Sequence, residues 1–132
     1  MTIETALYSY LKDFAGLYAL VSTRIYPLIL PQNPTLPAVA YQQISGPRVH
    51  AMGNDPGITY PRYQFSCWGS TPASAAAVAQ QIRLAFENYS GTMGGVGGVT
   101  VYHSSVENMF NERDAETGYF RYIIEVEIWT GE

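Results

Sequence analysis

The chain has 132 residues, a formal net charge of −4, 47% hydrophobic residues and only 14% charged ones. That length suits one domain with its own core and leaves little room for two, and the hydrophobic content excludes a disordered chain. Seven Lys and Arg residues, scattered and in no run, exclude the basic surface that sequence-tolerant nucleic-acid binding needs.

Thr2 is placed to cap a first helix, whose apolar positions Ile3, Leu7, Tyr10, Leu11 and Phe14 recur at helical spacing. Gly16 is its natural stop, and Leu17, Leu20 and Val21 fit a further short turn or helix. The segment 24–37 holds Pro27, Pro31, Pro34 and Pro37, which exclude helix and most regular strand pairing. With Ile25, Leu28, Ile29 and Leu30 between the prolines, it predicts a stiff extended connector. Such a segment lies against the domain or reaches a neighbour as an arm.

Val39–Ser45 reads as a first strand, followed by a long loop over 46–59 that is rich in Gly, Pro, Asn and Asp. Tyr60–Trp68 reads as the second strand. Tyr63, Phe65 and Cys67 line one face; Arg62, Gln64, Ser66 and Trp68 line the other. Cys67 is the only cysteine, which excludes an internal disulfide and a cysteine-based zinc site, and its neighbours Phe65 and Trp68 predict a buried, inert thiol. Thr71-Pro72 opens the clearest helix, as N-cap and first helical residue. Its run to Tyr89 puts Ala75, Val78, Ala79, Ile82, Ala85, Phe86 and Tyr89 on one face, with Gly91 as its end. The glycines of 94–98 follow a helix and precede a strand with no Lys near, which is the wrong context for a phosphate loop and predicts a flexible connector.

Val99–Val106 reads as a third strand, and the polar stretch 107–118 as the loop that joins it to the last one. That last strand, Tyr119–Trp129, alternates with period two. Phe120, Tyr122, Ile124, Val126 and Ile128 form a face for the core; Tyr119, Arg121, Ile123, Glu125, Glu127 and Trp129 form the other. The expected fold is therefore α/β (α+β), one domain over 1–132. It has an antiparallel sheet of about four strands, and two main helices, 3–15 and 72–89, pack on one face.

No catalytic constellation meets its structural context. His50 and His103 lie in different segments, without HExxH or CxxC spacing. A Ser–His–acid set could be assembled from Ser104 or Ser105 with His103 and Glu107, but adjacent strand residues such as His103 and Ser104 point to opposite faces, and there is no GxSxG elbow. Glu125 and Glu127 share a face about 7 Å apart by strand rise, and fit a solvated or interface strand better than paired catalytic acids. No cofactor, metal or membrane partner is expected. The N-terminal residues lack the basic and apolar regions of a signal peptide, so assembly in a cytoplasm is expected. Low charge with 11 Tyr residues suggests that part of the surface is buried against another chain.

An N-terminal helix leads to Val21-Ser22-Thr23-Arg24-Ile25-Tyr26-Pro27, then Pro31-Gln32, then the run Leu36-Pro37-Ala38-Val39-Ala40-Tyr41-Gln42-Gln43-Ile44-Ser45-Gly46. Tyr63–Gly69, the helix end Ala79–Phe86 and Gly118–Tyr122 follow in the same order. Together these resemble the tail completion, or tail terminator, family of long-tailed bacteriophages and prophages. Ala38 stands where the family usually has a bulkier residue, and the Gly-rich stretch is longer. The resemblance implies a non-enzymatic virion protein of the tail and neck, without cofactor. It would form a homo-hexameric ring on the head-proximal end of the tail tube and dock the head-completion or connector protein, with DNA only as passing cargo in the lumen. The other readings are a head-completion or minor tail subunit, and more remotely a small ligand-binding or catalytic α/β domain. Expected contact residues are His50, Met52 and Asn54 in the first loop, and Asn108, Glu112, Arg113 and Asp114 in the second. Arg24, Arg121, Glu127 and Trp129 join them as candidate interface anchors.

Overall fold

The computed structural model describes residues 2–46, 57–95 and 97–131. It opens with helix α1 (Ile3–Lys12), where the Thr2 hydroxyl accepts the Thr5 N–H and Glu4 and Lys12 sit at the favourable ends of the helix dipole. The stripe expected to run to residue 15 instead breaks at Asp13. A second helix, α2 (Ala15–Val21), then takes up Leu17 and Val21. Strand β1 (Ile25–Pro27) follows, and it pairs in parallel with β2 (Ala38–Ser45). The proline-rich segment is thus not wholly unpaired, because its first three residues still offer the groups that the β2 edge requires.

Strand β3 (Ile58–Thr59) pairs with the end of the last strand, and β4 (Arg62–Gly69) with β2. Helix α3 (Pro72–Phe86) begins at a capping box between Thr71 and Ser74. It stops three residues before the expected Tyr89, with Asn88 in the left-handed region. Strand β5 (Gly91–Met93) pairs antiparallel with β6 (Val99–Arg113) on either side of the glycine-rich stretch. Gly98 packs so closely on the Met93 carbonyl that a Cβ there would collide with it. Finally β7 (Phe120–Gly131) pairs with both β4 and β6.

Among the described residues the sheet therefore has seven strands, in the order β1-β2-β4-β7-β6-β5, with β3 added on β7. That replaces the expected four. Three of the additional strands are two or three residues long, too short for a periodic signal. The larger correction is β6, which runs through Glu107–Arg113, where a loop was expected. All of those residues but Met109 and Phe110 are polar, and all but Met109 are exposed, yet after a register shift between Val106 and Asn108 β7 pairs with them as far as Arg113. Backbone pairing has overridden weak strand propensity. The real turn is 114–119.

The helices share one side of the sheet. Leu7 and Leu11 of α1, Leu17 and Val21 of α2, and Val78, Ile82 and Phe86 of α3 belong to one buried cluster. From the strands, Tyr41, Tyr63, Phe65, Cys67, Ile124, Val126 and Ile128 complete it. Phe65 and Phe86 stack with centroids 5.2 Å apart, each such buried side chain stabilising the fold by roughly 1.5–3 kcal/mol. Gly69 lets the start of α3 approach, since a Cβ there would strike the Ala75 backbone. No helix among the described residues is long and apolar enough to cross a membrane.

Candidate interaction surface

The other side of the sheet carries no helix among the described residues. Register aligns its side chains in rungs across β2, β4, β7 and β6: Ala38–Trp68–Arg121–Glu112, then Ala40–Ser66–Ile123–Phe110, then Gln42–Gln64–Glu125–Asn108. The alternation of β4 and β7 dictates this arrangement once their opposite face is committed to the core.

The charges on this face satisfy one another. Arg62 reaches Glu125 at 3.5 Å and Glu127 at 3.7 Å. Glu127 also accepts the Trp129 indole N–H at 2.8 Å, and Asn108 donates to Glu125 at 3.5 Å. A guanidinium between the two glutamates occupies the space that an acid–base pair would leave for substrate or water. Trp129 is stacked on Tyr60, with centroids 4.4 Å apart. Arg121 pairs with Glu112 and lies over the Trp68 ring at 5.1 Å. Burial lowers the pKa of its guanidinium, and its buried Nε has no hydrogen-bond partner.

A groove of about 580 Å³ crosses this face. Gln42, Gln64, Ser66 and Trp68 form its floor. The segment 28–34 forms one wall; Asp114, Thr117 and Tyr119 belong to the other. The turn at 114–119 is tied by its own hydrogen bonds: Asp114 N–H donates to the Tyr119 carbonyl, Gly118 N–H to the Asp114 carbonyl, and Glu116 N–H to the Asp114 carboxylate.

Of the residues expected at contacts, Arg121, Glu127, Trp129, Asn108 and Glu112 come together on the open face. Arg113 ends β6 and Asp114 opens the turn, so Asn108, Glu112 and Arg113 are strand residues, not loop-tip ones. Arg24 lies elsewhere and turns inward on the chain: Nε donates to the Pro37 carbonyl at 3.0 Å and Nη2 to the Leu20 carbonyl at 3.1 Å. It closes the end of α2 and pins the proline segment. His50, Met52 and Asn54 lie outside the described residues. Sequence reasoning did not single out Leu28, Ile29 and Phe110 as contact residues, although all three are large, apolar and exposed. The signal for the first two was an Ile-Leu run between prolines.

The structure divides the Ser–His–acid residues weighed from the sequence. The Ser104 hydroxyl is buried on the core side and donates to the Phe86 carbonyl at 2.7 Å, while His103 is exposed and Ser105 donates to Glu107. Cys67 is fully buried, and burial pushes its thiol well above the ordinary range. No group of three or more His, Cys, Asp or Glu among the described residues is arranged to hold a metal.

A family model described as Tail completion protein gp17 matches residues 5–131. Among solved structures, a chain from the virion of a native gene transfer agent (GTA) particle superposes with a TM-score of 0.80 at 16% sequence identity. The match covers 98% of this chain and 95% of that one. No curated protein matches the sequence.

Proposed function

The chain belongs to the tail completion protein gp17 family and is a structural virion protein of the bacteriophage tail; from that premise we propose that it is a tail terminator. Copies assemble as a hexameric ring that caps the head-proximal end of the tail tube. The ring stops further polymerisation there and offers its other side to the head-completion or connector protein. It works by shape, without catalysis or cofactor, and is assembled in the host cytoplasm.

The observation that carries this reading is the helix-free face. A two-layer α/β domain whose second sheet face carries no helix, but does carry the partly exposed Trp68 and the exposed Phe110, has apolar surface left for a partner, and in this reading neighbouring virion subunits cover it. The acidic balance of the chain suits a lumen through which DNA slides, because retention of phosphates would need clustered cations. The segment 46–59, with His50, Met52 and Asn54, is assigned to contacts with tube or neck, along with the end of β6 at Arg113 and Asp114.

Native mass measurement, alone and with the tail tube protein, tests the proposal. The expected species has six copies and binds the tube end, and deletion of residues 48–57 leaves the ring but weakens that binding. A chain that stays monomeric even with tube protein present overturns the ring. Unchanged tube binding after the deletion overturns the loop assignment alone.

A further inference from the structure

The chain has few cations, and among the described residues all but one are engaged within it. Lys12 lies over the Tyr8 ring at 5.8 Å, and Arg24 donates to two carbonyls. Arg62 sits between Glu125 and Glu127, Arg83 pairs with Glu87, and Arg121 pairs with Glu112 over the Trp68 ring. Arg113, at the end of β6, is exposed and has no hydrogen bond, ion pair or ring contact among the described residues. Its neighbours do not claim it. Glu112 is held by Arg121, and the Asp114 carboxylate accepts the Glu116 N–H.

Arg113 borders a hollow of about 280 Å³ between the start of α3 and the paired ends of β6 and β7. Pro72, Phe120 and Tyr122 give this hollow apolar walls, and Asn111 adds an amide that is likewise unpartnered among the described residues. Arg121 reaches the same hollow, and its buried Nε has no acceptor. Gly118, at φ +76°, leaves the guanidinium room, since a Cβ there would sit 3.6 Å from Arg113 Nη2. Unclaimed donors beside apolar walls fit a carboxylate carried next to an apolar side chain, because the guanidinium fork matches the two carboxylate oxygens.

We propose that this hollow is the socket for an acidic segment of the virion protein that stacks on the ring, with Arg113 taking its carboxylate. The socket rests on the tail-terminator reading and gives the contact at the end of β6 a partner of stated chemistry. Another protein is the occupant, because most of this chain's own described acids are engaged: Glu87, Glu112, Glu125 and Glu127 in ion pairs, Glu107 and Asp114 in hydrogen bonds. DNA fits less well. Glu112, Asp114 and Glu116 lie within three positions of Arg113 and repel a row of phosphates.

Lys12 is the only lysine, so a zero-length cross-link can be aimed at the socket. In a Lys12→Arg background, Arg113→Lys sets one side-chain amine there, and a carbodiimide joins an amine to a carboxylate that touches it. Treated with tail tube protein and, separately, with head-completion protein, this variant is expected to give a mapped link from position 113 to an Asp or Glu of one of them. The arm that links identifies which protein carries the segment. Arg113→Glu is expected to weaken binding to that protein at least about tenfold, with the ring intact by native mass and the fold intact by circular dichroism. A link only between copies of this chain, no link at all, or unchanged binding by Arg113→Glu overturns the socket and leaves the ring standing. Loss of retention on duplex DNA alone in Arg113→Glu overturns it in favour of phosphate. A wild-type chain that binds neither protein overturns both the socket and the terminator reading.

Discussion

Tyr10 sits where α1 meets the end of α3. Its hydroxyl donates to the Ala85 carbonyl, and its ring lies 5.6 Å from Phe86 and 4.6 Å from Tyr89. Burial, and then the neighbouring Tyr89, push its pKa from 10.0 up to about 12. Burial also raises Tyr41, Tyr63 and Tyr89. The unfolded chain releases these protons near pH 10, while folded Tyr10 keeps its own until about 12. Between those values the folded state holds more protons, so stability falls as pH rises through that window and levels off above it. Urea unfolding at a series of alkaline pH values should show this decline, and Tyr10→Phe should flatten it. An identical slope in the variant would assign the effect to the other tyrosines. The helical spacing made Tyr10 legible as a core residue, but its ring partners lie 76 and 79 positions away. Arg24 was less legible still. From sequence it stood as an interface anchor or an intramolecular partner for an acid, whereas it serves two local carbonyls.

Elements are joined here by a few polar ties, and Ser104 is the clearest. Its hydroxyl donates to the Phe86 carbonyl at 2.7 Å and its backbone N–H to the Tyr89 carbonyl at 2.9 Å. Strand β6 thereby satisfies a carbonyl at the end of α3 that the helix cannot satisfy itself. Ser104→Ala removes one donor and leaves the Phe86 carbonyl buried, which should cost about 1–3 kcal/mol. Urea midpoints measured with unchanged m-values read this directly; a change smaller than about 0.5 kcal/mol, within the range of ordinary surface substitutions, would mean that the tie is replaced locally. The long strands and α3 were visible in the sequence because one face of each is committed to the core. Strand β5 and the far half of β6 were hidden for opposite reasons. Gly91, Thr92 and Met93 are too few to show a period, and in Glu107–Arg113, at the outer edge of the sheet, only Met109 packs against the core, so little alternation is imposed.

At the scale of the whole molecule, sequence gave the layer with the helices and half of the layer without them. Of the core faces predicted for β4 and β7, Tyr63, Phe65, Cys67, Ile124, Val126 and Ile128 are fully buried, whereas Phe120 and Tyr122 are only half-buried and Ile123, on the opposite face, is buried as well. What an uncovered face is for is not encoded in periodicity, since Arg121, Glu125 and Glu127 on a strand read the same whether they meet water or a subunit. The structure narrows the choice, because those charges are already paired within the chain, whereas Leu28, Ile29 and Phe110 are among the large apolar groups left exposed. In the proposed ring, burial of such groups between copies would link folding to assembly, so thermal stability is expected to depend on protein concentration. At a hundredfold excess over the dissociation constant between copies, the stabilisation is about 2.7 kcal/mol, or roughly 10 °C in Tm for a domain of this size. A wild-type Tm that ignores concentration would mean that the open face is stable in water by itself, with Trp68 and Phe110 as its ordinary surface.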